Sequence, residues 1–441
     1  MTSPTETDPA EENYSNHSWY LGYLSSNAAG GLTTPLIPLF ITFYLGLNVF
    51  DVGITSAIAS AASVPALIFW GLLSDRYKKR KVFILVGFMG GFISLLPMLY
   101  VHALMPYILV LIAFQVVSMA SVPVSTMILI ENSSEDKWPA VMGRFNFVAS
   151  MGTVIGLAFG TVFMAFFANK SSELLVNIYI ISAFIYLLSA IIIFLAIPEP
   201  KRTISRRKLT DIHSIRIIER IRFFPSTIIH FTGLREGKAP LGRDLKFYLF
   251  CTFLLMFAFQ LFFVPYPVFA IEHLGASEVE IYIMYILNSG LGALTYQYTG
   301  RINNRIGIRK SLAFALVTRI VIFSVFGAVS FIMFQSALWL IFALIVYGAL
   351  GSLWSFIGIA ETASVTLISP KARRGKTIGY YNSLNGAGQI FGGLLSGIIS
   401  EYAGYSIDFL IAAILVIIGT SLILKRTPSK MNRVAVTSAQ A

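Results

Sequence analysis

Two ionisable residues sit deep inside apolar stretches of this chain, where an unpartnered charge is too costly to persist without a role. Arg319 lies about nine residues into one stretch and Glu361 about eight residues before the end of the next. At about 1.5 Å of rise per helical residue the two reach similar depth, and the spacing predicts an Arg319–Glu361 ion pair that offsets the cost of burying either. Such a pair serves as a fixed strut or as a moving part. Near mid-depth of other stretches lie neutral hydrogen-bonding groups, Thr33, Thr34, Gln115, Gln260, Asn288, Asn385 and Gln389, with the indole of Trp354. Each is able to join helices or to hold a solute. Asp51, Glu272, Glu401 and Asp408 fall near segment boundaries. His17, His102, His213, His230 and His273 fall at ends or in connections, so neither a mid-depth carboxylate nor a histidine relay is expected. No nucleophile with a base and no metal-ligand spacing occurs at a common depth, which argues against an enzyme and against a cofactor.

These groups need membrane-crossing helices to position them. The 441 residues are 56% hydrophobic and 12% charged, with a mean hydropathy of +0.75, against roughly 25% charged in soluble domains. A spanning helix takes about 20 mostly apolar residues. Segmentation predicts twelve, near 19–45, 50–72, 82–101, 105–130, 142–167, 174–197, 246–271, 279–300, 311–332, 336–367, 376–400 and 405–424. The expected fold is an all-α membrane protein of two pseudo-symmetric six-helix bundles, 17–197 and 246–425. Tails at 1–16 and 426–441 flank them, and a basic linker at 198–245 joins them. The first segment is too long for a signal-peptide core and no cleavage pattern follows a basic start, so it reads as a retained helix. The alternating ten-residue pattern of a membrane β-barrel is missing. The single cysteine, Cys251, lies within the seventh segment, which excludes an intrachain disulfide.

A net charge of +12 could suit nucleic acid, but 31 of the 33 Lys and Arg residues fall on one side of the predicted topology. The exceptions are Lys170 in an opposite loop and Arg319 within the ninth segment. Under the positive-inside rule this places both termini and the even-numbered connections in the cytoplasm of a plasma-membrane protein and leaves no case for nucleic acid. In the linker, Ile212, Ile215, Ile218 and Ile221 recur about once per helical turn beside Arg216, Arg220 and Arg222. That pattern predicts an amphipathic helix over 209–224 lying on the anionic inner leaflet of the bilayer. The expected working unit is a monomer.

The chain also nearly repeats itself. Pro35 matches Pro265 and Glu131 matches Glu361 at a shift of 230; Gly46 matches Gly275 and Gly71 matches Gly300 at 229; Gly143, Gly156 and Gly160 match Gly375, Gly388 and Gly392 at 232. A near-constant register says that one membrane half was built twice. The prolines at 35, 38, 265 and 267 are expected to bend the first and seventh helices.

The string Gly71-Leu-Leu-Ser-Asp-Arg-Tyr-Lys-Lys-Arg-Lys81, between the second and third helices of a doubled twelve-helix chain, resembles the signature loop of the major facilitator superfamily. The resemblance covers nearly the whole chain. It implies that Gly71 lets two helices approach and that Asp75, beside Arg76, faces the start of the eleventh helix at Gly375 and Lys376, where a helix N-terminus favours a carboxylate. The second copy keeps Gly300 and Arg305 but has Asn304 for the aspartate, and Lys78 replaces the family's second glycine. The latch is therefore expected to be stronger on the Asp75 side. Glu131, with Arg76 and Arg144 near it by topology, resembles the acidic member of a charge relay. Helix five, Gly152-x-x-x-Gly156-x-x-x-Gly160, keeps three glycines of an exporter motif but lacks its proline.

The resemblance also implies a central cavity lined by helices one, four, seven and ten with two, five, eight and eleven. Thr34, Gln115, Gln260, Asn288, Trp354, Asn385 and Gln389 are the expected solute contacts. With no cation or carboxylate at mid-depth, the set suggests a neutral polar or amphipathic organic solute. The expected function is a secondary transporter working by alternating access, with protons as the candidate coupling ion and export ahead of uptake. Uptake symport and facilitated diffusion are the alternatives. Coupling would fall on Glu131 or Glu361 or on a charged solute. A non-transporting sensor or scaffold, with the linker as its working part, is the reading from another class.

Overall fold

The computed structural model describes residues 17–77, 79–131, 138–167, 174–197, 242–332, 335–369 and 374–427. The tails, the 209–224 helix of the linker and the connection after Glu131 lie outside the described residues. Twelve helices result. In chain order α1 covers 17–44, α2 Val49–Tyr77, α3 Arg80–Tyr100, α4 104–131, α5 Trp138–Phe167 and α6 Leu174–Ala196. The second half follows with α7 Arg243–Leu274, α8 Glu278–Ile306, α9 Ile308–Val329, α10 Ala337–Ile368, α11 Arg374–Ala403 and α12 Tyr405–Ile423. Among the described residues nine of these are long and apolar enough to cross a bilayer on composition alone; α1, α8 and α11 fall short. Those three carry the break or the polar groups discussed below.

The two copies share their irregularities. Helix α1 breaks between Thr33 and Leu36 and ends in a π-helical turn at Phe40–Tyr44. Helix α7 breaks between Phe263 and Tyr266. A proline lacks the N–H that would continue the helix, and Pro35 and Pro265 sit at the two breaks. Each helix is followed by a left-handed glycine, Gly46 at φ 64° and Gly275 at φ 71°, a backbone region that residues with a Cβ enter at a cost.

Within each half, glycines bring backbones into contact. A Cβ on Gly152 would lie 2.2 Å from the Leu24 carbonyl oxygen and one on Gly156 would lie 1.9 Å from that of Ala28, so α5 rides directly on α1. On α11, Gly388, the counterpart of Gly156, and Gly392, that of Gly160, make the same kind of contact: a Cβ on Gly388 would lie 2.8 Å from the Phe253 oxygen, and one on Gly392 2.5 Å from the Phe257 oxygen of α7. Aliphatic lipid tails give apolar helices no reason to prefer one another, so this close packing does the assembling.

The halves meet along two seams, α2 with α11 and α5 with α8. The repeat shift carries α2 onto α8 and α5 onto α11, so each seam is the image of the other. On the side away from the chain termini, the Cβ positions of Gly53 and Gly397 would each fall within 3 Å of the other's Cα. Asn48 donates to Glu401 at 3.1 Å, and the rings of Phe50 and Tyr402 lie 6.5 Å apart. Beside the other seam, the Tyr282 hydroxyl of α8 donates to the Leu32 carbonyl of α1 at 2.7 Å, just ahead of the α1 break. On that side the two halves are in contact.

Replacing Gly156 by valine should cost about 1–3 kcal/mol through overpacking, read as a lower melting temperature of the purified protein. Gly379→Ala, where a Cβ meets nothing within 4 Å, should leave melting unchanged.

Candidate functional site

A cavity of about 430 Å³ lies between the halves at mid-depth. Helix α5 offers Ser150 and Thr153; α7 offers Met256, Phe259, Gln260 and Phe263, consecutive positions on one helical face. Helix α8 contributes Asn288, Ser289, Gly292, Ala293 and Tyr296, again one face. Leu350, Gly351 and Trp354 come from α10, Gln389 from α11 and Arg319 from α9. The polar groups are amides and hydroxyls, and the apolar wall is largely aromatic, an arrangement suited to a solute with both a polar and an apolar face.

Four expected contacts, Gln260, Asn288, Trp354 and Gln389, line this space. Asn288 is also tied across to α10, its Nδ2 donating to the Tyr347 carbonyl at 2.8 Å. Three do not line it. The Thr34 hydroxyl turns back to the Gly30 carbonyl at 2.8 Å; Gln115 lies on α4, which with α1 and α2 contributes nothing to the cavity; Asn385 is buried one turn from Gln389 on α11. Depth alone put these three in the set, but depth does not say which way a side chain faces. Ser150, Thr153, Ser289 and Tyr296 were missed. The i, i+4 spacing of Asn288, Gly292 and Tyr296 and the i, i+3 spacing of Ser150 and Thr153 were the available signals.

Arg319 is the main correction. It is fully buried, yet among the described residues no ion pair joins it to Glu361. Its guanidinium carbon sits 4.2 Å from the Phe259 ring centroid, 5.3 Å from that of Phe263 and 5.5 Å from that of Trp354. Nη2 donates to the Leu350 carbonyl at a long 3.4 Å. Glu361 instead accepts from the Tyr381 hydroxyl of α11 at 2.9 Å. The reason is depth. Helix α9 begins at Ile308, so Arg319 stands about 16 Å from its start, whereas Glu361 is about 10 Å from the end of α10. Nor does the premise of a neutral site hold, since a cation stands in the cavity wall. The helix carrying it, α9, packs on α12 and α10 and is anchored by Phe323, one turn past Arg319, stacked on Phe262 at 4.1 Å.

The remaining relay residues are less informative. Gly71 lies against Pro123 of α4 at an ordinary contact distance, 3.8 Å for an added Cβ. Arg144 and Arg305 are exposed. Asp75, Arg76, Glu131, Gly300 and Asn304, with Gly375 and Lys376 of α11, lie outside the residues whose side chains are described. Asp408, expected near a boundary, is wholly enclosed and accepts from the Ser396 and Ser400 hydroxyls at 3.0 and 2.7 Å.

The family model described as Major Facilitator Superfamily matches residues 19–361 and 248–439. Solved structures share the fold. The nucleoside transporter NupG superposes with a TM-score of 0.62 at 16% identity, over 94% of this chain and 99% of its own. The human organic anion transporter MFSD10 gives 0.61 at 19%, over 94% and 100%, and a D-xylose-proton symporter gives 0.69 at 13%, over 94% and 98%. No curated protein is similar enough in sequence to match.

Because Arg319 and Glu361 hold different partners, a double-mutant cycle of Arg319→Ala and Glu361→Ala should show a coupling below about 1 kcal/mol in unfolding free energy. Removing one member of a buried ion pair costs about 3–5 kcal/mol and the second removal recovers much of it, so rescue of either single variant by the double variant would restore the pair.

Proposed function

Since the chain belongs to the Major Facilitator Superfamily, we propose that it is a secondary transporter that moves a small organic solute by alternating access, its two halves rocking about the cavity. The observation that supports this most is the placement of that cavity: it lies between two seams that exchange under the internal repeat, and the halves touch at one end of both. A motion that parts Gly53 from Gly397 and Tyr282 from Leu32 would open that side, and by symmetry the same motion closes the other. The broken helices α1 and α7, equivalent under the repeat, supply the bending such a motion needs.

The placement of Lys and Arg supports an orientation with the side where the halves touch at the outer face of a plasma membrane and both termini in the cytoplasm. In the export direction this is the state that loads. Rings on one wall and amides and hydroxyls on the others favour an amphipathic solute. No carboxylate lines the cavity among the described residues, so proton coupling would use an enclosed carboxylate outside it, Glu361 or Asp408.

Proteoliposomes carrying the purified protein should move at least one member of a broad solute panel, tested with and without a pH gradient. With Cys251 replaced by serine and cysteines at Asn48 and Glu401, a short reducible bis-thiosulfonate should slow that movement at least ten-fold, and reduction should restore it. Undiminished transport by the cross-linked protein would rule out rocking at this seam, and no movement of any solute would count against a transporter.

A further inference from the structure

The cavity wall holds a cation that, among the described residues, makes no ion pair; Glu361 acts on it only through space and is hydrogen-bonded elsewhere. Arg319 has Nε and Nη1 without an acceptor, both buried, and its one protein hydrogen bond is the long one to Leu350. No Asp or Glu lines the cavity with it among the described residues. Glu361, the buried carboxylate nearest along the neighbouring α10, is engaged by Tyr381. A guanidinium in the membrane interior is retained at considerable cost, and ring faces repay only part of it, about 2 kcal/mol when desolvated. A structural arginine in this position would be expected to have a carboxylate or a cage of carbonyls. This one has three aromatic faces and spare donors at the edge of a space large enough for a solute.

We infer that Arg319 anchors the anionic group of the transported solute, and that the substrate class is an amphipathic organic monoanion, a carboxylate or sulfonate on an apolar body. The assignment rests on the transporter reading and names what it carries. One cation with no other charged group in the wall matches a single negative charge. Phe259, Phe263, Trp354 and Tyr296 offer rings to the apolar body, and Gln260, Asn288 and Gln389 offer neutral partners to further polar groups. Guanidinium is the suitable cation here, being planar, always charged and more weakly hydrated than an ammonium. Access is through Trp354: its side chain is 37% exposed whereas Arg319 is fully enclosed, so the indole is the ring an incoming headgroup would displace.

The test uses full-length protein in neutral detergent and two probe series that hold the apolar body fixed while the charge changes: indole-3-acetate, indole-3-acetamide and tryptamine, and 4-phenylbutyrate, 4-phenylbutyramide and 4-phenylbutylamine. Calorimetry and thermal stabilisation measure binding. In at least one series the anion should bind ten-fold or more tightly than its amide and its amine. Arg319→Gln should bring the anion to the level of the amide while the amide changes less than about two-fold, and Arg319→Lys should keep part of the preference. No preference for the anion in either series of the unmodified protein overturns the assignment, whether or not Arg319→Gln folds. So does an anion preference that survives in a folded Arg319→Gln protein. Transport in liposomes is read separately. Anion-selective binding without transport would overturn only the transporter reading, and transport of neutral solutes without anion selectivity would overturn only this one.

Discussion

Helices in a bilayer gain little by burying apolar side chains against one another, because the lipid they leave is as apolar as the neighbour they meet. What assembles this protein is backbone contact through residues too small to hold the helices apart. Gly152 and Gly156 seat α5 on α1, Gly388 and Gly392 seat α11 on α7, and Gly53 against Gly397 seats one half on the other. The repeated glycines are not fully equivalent. An added Cβ on Gly160 would strike Tyr282 of the opposite half at 2.3 Å, whereas one on its counterpart Gly392 would strike Phe257 and Gln260 of its own. The same spacing therefore sets a contact between halves in one copy and positions a cavity side chain in the other.

Broken symmetry of this kind also explains the cavity's lopsidedness. Helices α7 to α11 supply nearly all of it, and the first half supplies Ser150 and Thr153 of α5. The counterpart of α9 in the first half is α3, where Met89 or Gly90 stands at the register of Arg319. A charge placed on one copy alone fits the proposed solute anchor in one half, with the other half supplying the facing wall. The aromatic layer of Phe259, Phe263 and Trp354 lowers the cost of holding that charge while keeping it away from lipid.

Much of the fold was legible because it is written in quantities a bilayer reads directly. Segment length gave twelve helices, Pro35 and Pro265 marked the breaks, and the glycine register marked the backbone contacts. The site was legible only in part. Depth placed Gln260, Asn288, Trp354 and Gln389, which line the cavity, together with Thr34, Gln115 and Asn385, which do not. Arg319 was recognised as exceptional and given the wrong partner, because hydropathy placed the start of α9 about three residues late and that error is close to one helical turn. Hydropathy resolves where a helix lies along the membrane normal; it does not resolve rotation about the helix axis, and rotation decides which residues share a cavity.

The contrast between interactions within and between halves bears on mechanism. Inside the second half, Phe262 packs against Phe323, Phe409 and Tyr266, all with centroids under 5 Å away, and the glycine contacts leave no room for sliding. Across the seams, the described residues include an exposed amide bonded to a carboxylate at Asn48 and Glu401, and between α8 and α1 one hydroxyl bonded to a backbone carbonyl at Tyr282 and Leu32. A hydrogen bond of this type contributes about 1 kcal/mol net, and glycine-to-glycine surfaces part without unlocking large side chains. Solute binding shifts a population between two states when they differ by only a few kcal/mol, and bonds of this strength are compatible with such a gap in the proposed motion. Rigid halves joined by small-residue seams are what the proposed rocking motion requires, and the contacts of the described residues fit that division.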